Sequence, residues 1–444
     1  MRMLRKISAC LALFFAAMPL LTAQNRFPKP DFTNGYKVPE LSPLPSAASP
    51  LERAMLTVAP YLQYAVVAIL LIFLLLSCYF LYRKRSRRGV FALALAAIAF
   101  FGFIVGGCIC PVGSIQNVAA AIFNPDFPIS PVVLGIFLLP LFFALFAGRV
   151  FCGSVCPLGT IQEVVNFYPL KVPPLIDRIL RTIPLFYLGF GVLFAASGIG
   201  FIICRFDPFV GFYRMSGPFF ILTAGGGLLL LGVFVARPYC RYLCPYGVLL
   251  GWLSRLSSRR VSITPDECIR CRLCEKACPV DAIMPPSPPS QDREPMRKSL
   301  RRIILLLILL PLTAAASGVT GYFLGNPVSL LHPEVELYRQ VSAELAAGER
   351  PQTDETLAFR SSGTPVAELQ KEVSAVVSNI RLGSCLLGIF LALAIMARLF
   401  NFSKRREQKD YQVDNSLCVC CGRCYSVCPR DKRNRIMLKE DGQR

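Results

Sequence analysis

The chain has one histidine and one tryptophan in 444 residues, and only 17% of its residues are charged. A single histidine, His332, excludes a bis-histidine haem within one chain, and no C-x-x-C-H run exists for covalent haem attachment. No G-x-G-x-x-G follows a strand-like segment and no P-loop is present, which argues against nicotinamide and nucleotide binding. His332 itself lies beside Pro333 and reads as a solvated loop residue. Acidic residues are scarce as well, 27 against 48 basic, for a net charge of +21. The basic residues flank apolar runs instead of lining one soluble face, so no nucleic acid is expected, and the excess reads as cytoplasmic loops of a membrane protein. The apolar runs carry almost no charge, which leaves a transporter without an ion path.

What the chain has in quantity is apolar residues, at 54%, and cysteine, at 19. Composition of this kind predicts a polytopic α-helical membrane protein with small extramembrane parts. Residues 1–23 read as a signal peptide, with Arg2, Arg5 and Lys6 ahead of an apolar core, or as an uncleaved signal anchor. Residues 24–58 are rich in proline and serine and read as an extended periplasmic segment. Seven spans follow, at 60–82, 90–107, 130–147, 183–203, 218–236, 303–325 and 383–402. Five of them make up a core over 59–256. The basic ends at 83–88 and 404–406 set the N-terminus outside and the C-terminus in the cytoplasm. Residues 166–182 are expected along the inner interface, and residues 326–380 form an external insert with a pair of short helices. The glycines at 225–227 lie within an apolar span and suit close helix packing.

Two stretches carry the chemistry. Cys268, Cys271, Cys274 and Cys278, followed by Pro279, have the spacing C-x2-C-x2-C-x3-C-P, in which thiolates hold a cubane iron–sulfur cluster. Cys418, Cys421, Cys424 and Cys428, followed by Pro429, repeat it, with Cys420 as an extra thiol that the spacing does not use. A zinc ribbon would instead need two well-separated C-x2-C knuckles. In two-cluster ferredoxins the fourth cysteine of each run ligates the other cluster. Crossed ligation is therefore predicted. Cys268, Cys271, Cys274 and Cys428 hold one [4Fe-4S] cluster, and Cys418, Cys421, Cys424 and Cys278 hold a second, in a small α+β ferredoxin-like domain. Its halves occupy 257–301 and 404–444, folded together by the spans at 302–325 and 381–403 on either side of the insert. Two independent one-cluster modules are the alternative. Arginines near the first run (Arg255, Arg259, Arg260, Arg270 and Arg272) favour the more negative, reduced state.

Further cysteines sit at membrane boundaries. Cys152 and Cys156 precede Pro157, and Cys240 and Cys244 precede Pro245. Two residues four apart share a helix face, so each pair reads as a two-thiol clip on the inner side, and two clips supply ligands for a third iron–sulfur or metal centre. CPVGSIQN from Cys110 echoes CPLGTIQE from Cys156 on the opposite side of the membrane. There Cys108, Cys110 and Cys204 form an outer group, which is a redox centre, a soft-metal site or a disulfide in an oxidising periplasm. Cys78 and Cys385 read as core, and Cys10 lies in the presumed signal.

FCGSVCPLGTIQE, YCRYLCPYG and the two ferredoxin runs resemble the NapH/NosR-type membrane polyferredoxins, a group that includes the CcoG (RdxA) proteins. The resemblance implies a bacterial inner-membrane protein with cytoplasmic [4Fe-4S] clusters. It also implies electron exchange with the quinone pool or with other redox proteins, as an oxidoreductase subunit or an electron carrier. An assembly factor that reduces a metal ion for a respiratory metalloenzyme is the second function it implies. NosR-like members carry a large external flavin domain, for which residues 24–58 are too short.

Overall fold

The computed structural model describes residues 50–106, 111–125, 127–214, 219–259, 261–263, 268–286, 296–348, 353–403 and 410–429. The signal peptide, Cys10, most of the external segment, Cys108 and Cys110 lie outside the described residues.

The described chain is almost entirely helical. Helix α1 (Pro50–Cys78) runs into a π-helical turn at Tyr79–Arg83, and α2 (Arg87–Ala97) continues as a π-helix over Ile98–Ile104. Then come α3 (Pro111–Phe123), α4 (Pro131–Ala147), α5 (Val150–Ser154), α6 (Pro157–Val164), α7 (Pro174–Leu180) and α8 (Ile183–Ala196). Short α9 (Ile202–Arg205) and α10 (Val210–Arg214) lead to α11 (Phe219–Phe234), α12 (Pro238–Tyr242) and α13 (Pro245–Ser254). The first cysteine run forms α14 (Leu273–Ala277) and β1 (Ile283–Met284). A long hairpin of α15 (Met296–Ser329) and α18 (Val366–Ser403) carries α16 (Pro333–Ala347) and α17 (Asp354–Ser361) at its tip, and β2 (Gln412–Val413) and α19 (Arg423–Val427) end the described chain.

Among the described residues, five helical stretches are long and apolar enough to cross a membrane: Gln63–Arg83, Arg87–Ile104, Pro174–Ala196, Leu300–Ser329 and Val366–Phe400. The segments expected as spans at 130–147 and 218–236 become the shorter apolar helices α4 and α11. At 1.5 Å per residue these reach roughly 25 Å, less than the ~30 Å hydrocarbon core. Both stop because the motif after them starts: Gly148 takes φ +68° after α4, and Arg237 takes φ +52° before Pro238. Helix α3, expected as part of a loop, is a further apolar helix that packs on α4, α8 and α13.

The α15–α18 hairpin closes through glycine. A Cβ on Gly325 would lie 2.7 Å from the Arg381 Cα, and one on Gly318 would meet Ile389 and Cys385. Gly321 faces the Ser384 backbone and Gly388 faces that of Ser317. Lipid tails give two helices no hydrophobic reason to associate, so close backbone approach is what holds such a pair. Gly383 of α18 faces Leu193, and Leu387 faces Gly189, which ties the hairpin to α8. At the tip, Val335, Leu369 and Val373 make a small core. His332 is buried there, against the expectation of a solvated residue, because its Nδ1 accepts from the Glu334 amide (3.3 Å) and caps α16. The hairpin delivers β2 to β1, which pair antiparallel with Ile283 opposite Val413 and Met284 opposite Gln412. Two strands of two residues are marginal alone. They hold because α14 and α19 pack against each other beside them.

Candidate functional site

The two cysteine runs have one backbone conformation. Arg270 and Cys420, each two residues after the first cysteine, take φ +53° and +54°. Arg272 and Gly422 take φ +61° and +72° and open the short helices that carry Cys274 and Cys424. Cys278 and Cys428 close those helices in extended conformation, both with ψ 115°. The residue before proline is pushed out of the helical region, so each fourth cysteine points away from its own run.

Two cavities result. One is lined by Cys268, Cys271, Cys274 and, from the other run, Cys428. The other is lined by Cys418, Cys420, Cys421, Cys424 and, from the first run, Cys278. Among the described residues no three thiols or carboxylates converge on a single metal ion. Four thiolates on one zinc would each stand ~2.3 Å from it. Sulfurs spread around a cavity instead suit a group with several irons, each taking one thiolate. Cys278 Sγ also accepts from the Ala282 amide (3.2 Å), the kind of hydrogen bond that favours a thiolate.

The clip cysteines do not share a helix face as their spacing predicts. Each helix ends between its two thiols. Cys152 lies in α5, whereas Cys156 takes φ −70°, ψ 115° and caps α6 ahead of Pro157. Cys244 does the same for α13, where its Sγ accepts from the Gly247 amide (3.3 Å). Proline is the cause, since it forces the residue before it to be extended and itself starts the next helix. In both copies the second cysteine's amide bonds five residues back, Cys156 to Phe151 and Cys244 to Tyr239, each at 2.9 Å. The four thiols are brought together, with Cys156 in electrostatic reach of Cys240, Cys152 and Cys244. Burial pushes the Cys240 thiol up to about 11, against the pull of Arg237. A bare thiol there is neutral at pH 7, and a thiophilic metal or cluster is what would hold it as thiolate.

Sequence reasoning missed the polar residues around the clips. Gln162 Oε1 accepts from the Tyr239 amide (2.9 Å) and its Nε2 lies 3.5 Å from Cys240 Sγ. Glu163 is buried and paired with three arginines, Arg87, Arg237 and Arg423. Burial alone would raise its pKa, but the three cations lower it to about 2. An arginine stands three residues before the first cysteine of each clip. Arg237 also donates to the Cys152 carbonyl, and Arg149 donates to the Ser416 carbonyl (3.0 Å). The repeated arginine and the glutamine shared by the CPLGTIQ and CPVGSIQ segments were the available signals.

That echo is structural. Gln116, the counterpart of Gln162, accepts from the amides of Ile203 (2.9 Å) and Cys204 (3.2 Å). A Cβ on Gly113 would stand 2.8 Å from Cys204 Sγ, as one on Gly159 would stand 3.7 Å from Cys240 Sγ. The sequence puts the Cys204 segment across the membrane from the clips. Residues that follow it reach the clips: the Phe209 and Tyr239 rings lie 5.2 Å apart, and the Tyr213 hydroxyl donates to the Pro157 carbonyl (2.8 Å). Of the cysteines read as core, Cys78 packs against the main apolar cluster and Cys385 against Gly318.

Comparison with known families agrees with this repeat. A 4Fe-4S binding domain (Fer4_5) matches at residues 89–130, 129–174 and 216–264, three copies that contain Cys108 and Cys110, the first clip and the second clip. A second 4Fe-4S binding domain (Fer4) matches residues 261–284, the first ferredoxin run. The chain carries 4Fe-4S binding domains. A 52-residue stretch is 44% identical to YccM of Escherichia coli, provisionally named an electron transport protein, and covers 12% of this chain and 15% of that one. A stretch of the same length is 40% identical to an uncharacterized protein of Methanocaldococcus jannaschii, over 12% of this chain and 21% of that protein. The chain thus spans under a quarter of the length of either relative. No solved structure matches.

Proposed function

We propose that the protein carries electrons between a redox partner at the ferredoxin-like domain and an acceptor in the membrane or beyond it. The protein sits in a bacterial inner membrane, with the ferredoxin-like domain in the cytoplasm, as the basic loop ends favour. Cys268, Cys271, Cys274 and Cys428 hold one [4Fe-4S] cluster, and Cys418, Cys421, Cys424 and Cys278 a second. Cys152, Cys156, Cys240 and Cys244 hold a third centre. These groups supply one-electron chemistry when bound. The residues around them do the rest: they exclude water, fix the thiolates and place positive charge beside them.

One observation carries this reading. A Cβ on Gly153, between the two thiols of the first clip, would lie 2.5 Å from the Val419 carbonyl and 2.8 Å from that of Cys420. The loop of the second ferredoxin run therefore rests directly on the clip, with no intervening layer. Cys204, with Cys108 and Cys110 from the sequence, is the outer group of thiols in this reading. Membership of the NapH/NosR/CcoG group and exchange with the quinone pool are the finer reading that these motifs support.

The test is Cys152→Ser in membranes. Both ferredoxin signals are expected to survive while delivery of electrons to the membrane acceptor is lost. Unchanged delivery would sink the proposal.

A further inference from the structure

Arg149 stands three residues before Cys152, and Arg237 stands at the same offset before Cys240. Their charges are met differently. Arg237 pairs with Glu163, the carboxylate it shares with Arg87 and Arg423. Arg149 is only 8% exposed, yet among the described residues no carboxylate pairs with it. Its Nη1 donates to the Ser416 carbonyl (3.0 Å), and its buried Nε meets no acceptor. Its Nη2 is aimed at the clips. It lies 3.9 Å from Cys152 Sγ and 3.1 Å from where a Gly247 Cβ would be. Gly247 is the residue whose amide donates to Cys244 Sγ (3.3 Å), so one guanidinium lies against both clips. Cys240 Sγ has the Gln162 Nε2 at 3.5 Å. Donors thus face Cys152, Cys240 and Cys244, and the one at Cys152 is a full cation. A buried guanidinium beside neutral thiols would have nothing to offset its charge, which is costly. The same guanidinium beside ligated thiolates is compensated.

We propose that Arg149 supplies the countercharge of the group held by Cys152, Cys156, Cys240 and Cys244 and thereby raises its reduction potential. Thiolate ligands on a cubane iron–sulfur core leave negative charge in excess, and an added electron deepens that excess. A fixed cation against a ligand sulfur, buried where screening is weak, favours the more negative, reduced state. The electron is lost by the group that Cys418, Cys421, Cys424 and Cys278 hold and gained by the group that the clips hold. The guanidinium keeps its proton throughout, and no bond is made or broken. Through Ser416, two residues before Cys418, Arg149 also ties the run that delivers the electron to the clip that receives it. This rests on the reading that the clips hold a cluster.

The test is a redox titration of the full-length protein followed by electron paramagnetic resonance, with iron and sulfide assayed on the same samples. Arg149→Gln removes the charge and keeps a polar side chain, whereas Arg149→Lys keeps the charge. Arg149→Gln is expected to lower the midpoint of the clip signal and to leave that of the first ferredoxin run in place. Arg149→Lys is expected to hold the clip midpoint near its wild-type value. A clip midpoint unmoved in a fully loaded Arg149→Gln protein overturns the proposal, as does an equal shift in both variants. Where Arg149→Gln fails to load the clips, Arg149→Lys decides: loading restored at the wild-type midpoint supports the countercharge, and loading lost in both overturns it. Iron and sulfide for two clusters only in the wild type overturn the clip reading instead.

Discussion

Cys271 is exposed, whereas Cys421, at the same place in the second run, is 8% exposed. Around Cys271, Ile269, Arg270, Arg272 and Leu273 are exposed too. Around Cys421, backbone carbonyls are claimed by the helical core: Arg87 donates to Cys421 (2.8 Å), Arg149 to Ser416 (3.0 Å) and Ser254 to Asn415 (2.9 Å). The spacing of cysteines and proline sets the backbone, which is the same in both. What each run does with it depends on the residues between the ligands, arginine in one and cysteine in the other. A repeated motif thus gives one exposed site and one buried against the clips.

The largest expected effect tests whether the halves are separate at all. Cys428→Ser should abolish the cluster of the first run and spare the second run's own, and Cys278→Ser should do the reverse. Loss of each run's own cluster, with the other untouched, would make them independent modules. Spectroscopy on the reduced variants decides between the two.

Next is Glu163, the carboxylate that Arg87, Arg237 and Arg423 share. Glu163→Gln leaves three buried or half-buried cations without their partner and should cost ~3–5 kcal/mol of stability. Its pKa is depressed in the fold, so its contribution is fully present above about 4.5 and is lost as pH falls towards about 2. Chemical denaturation of the metal-free protein should show a plateau from neutral pH to about 5 and a decline below it, and Glu163→Gln should flatten that decline. A decline that persists unchanged in the variant would place the acid sensitivity elsewhere.

Gly153→Ala should cost about 1–3 kcal/mol, since its methyl would enter the Val419–Cys420 backbone. It should also loosen the second half from the clip, read as faster proteolysis between residues 404 and 429. Normal proteolysis would show that the contact can shift without loss. The smallest effect belongs to the exposed half. Arg270→Ala removes a 3.7 Å surface pair and should change stability by less than ~0.5 kcal/mol in the same denaturation assay.

Much of the site was legible because metal ligation and proline impose fixed spacing. The eight ferredoxin cysteines and the two clips could be named from offsets alone. The clip geometry was misjudged because a four-residue offset reads as one helix turn, while Pro157 and Pro245 break the helix between the thiols. Membrane spans at 130–147 and 218–236 came out short because the motifs after them terminate them. Gln162 and Arg237 left a trace only in the repeated segments, and Glu163 left none, since a buried ion cluster has no periodic pattern and its partners come from α2, the residue before α12, and α19. Nor does sequence show that Phe209 and Tyr213 reach the clips, because that contact depends on how α10 packs.

The central claim is that the buried half passes electrons to a centre held by the clips. Iron and sulfide content of the purified protein, with electron paramagnetic resonance on full reduction, addresses it directly. The account predicts one cluster more than the two ferredoxin runs can hold, with the extra signal missing in Cys240→Ser and the other two retained. Iron and sulfide for two clusters only, with a spectrum that Cys240→Ser leaves unaltered, would contradict it.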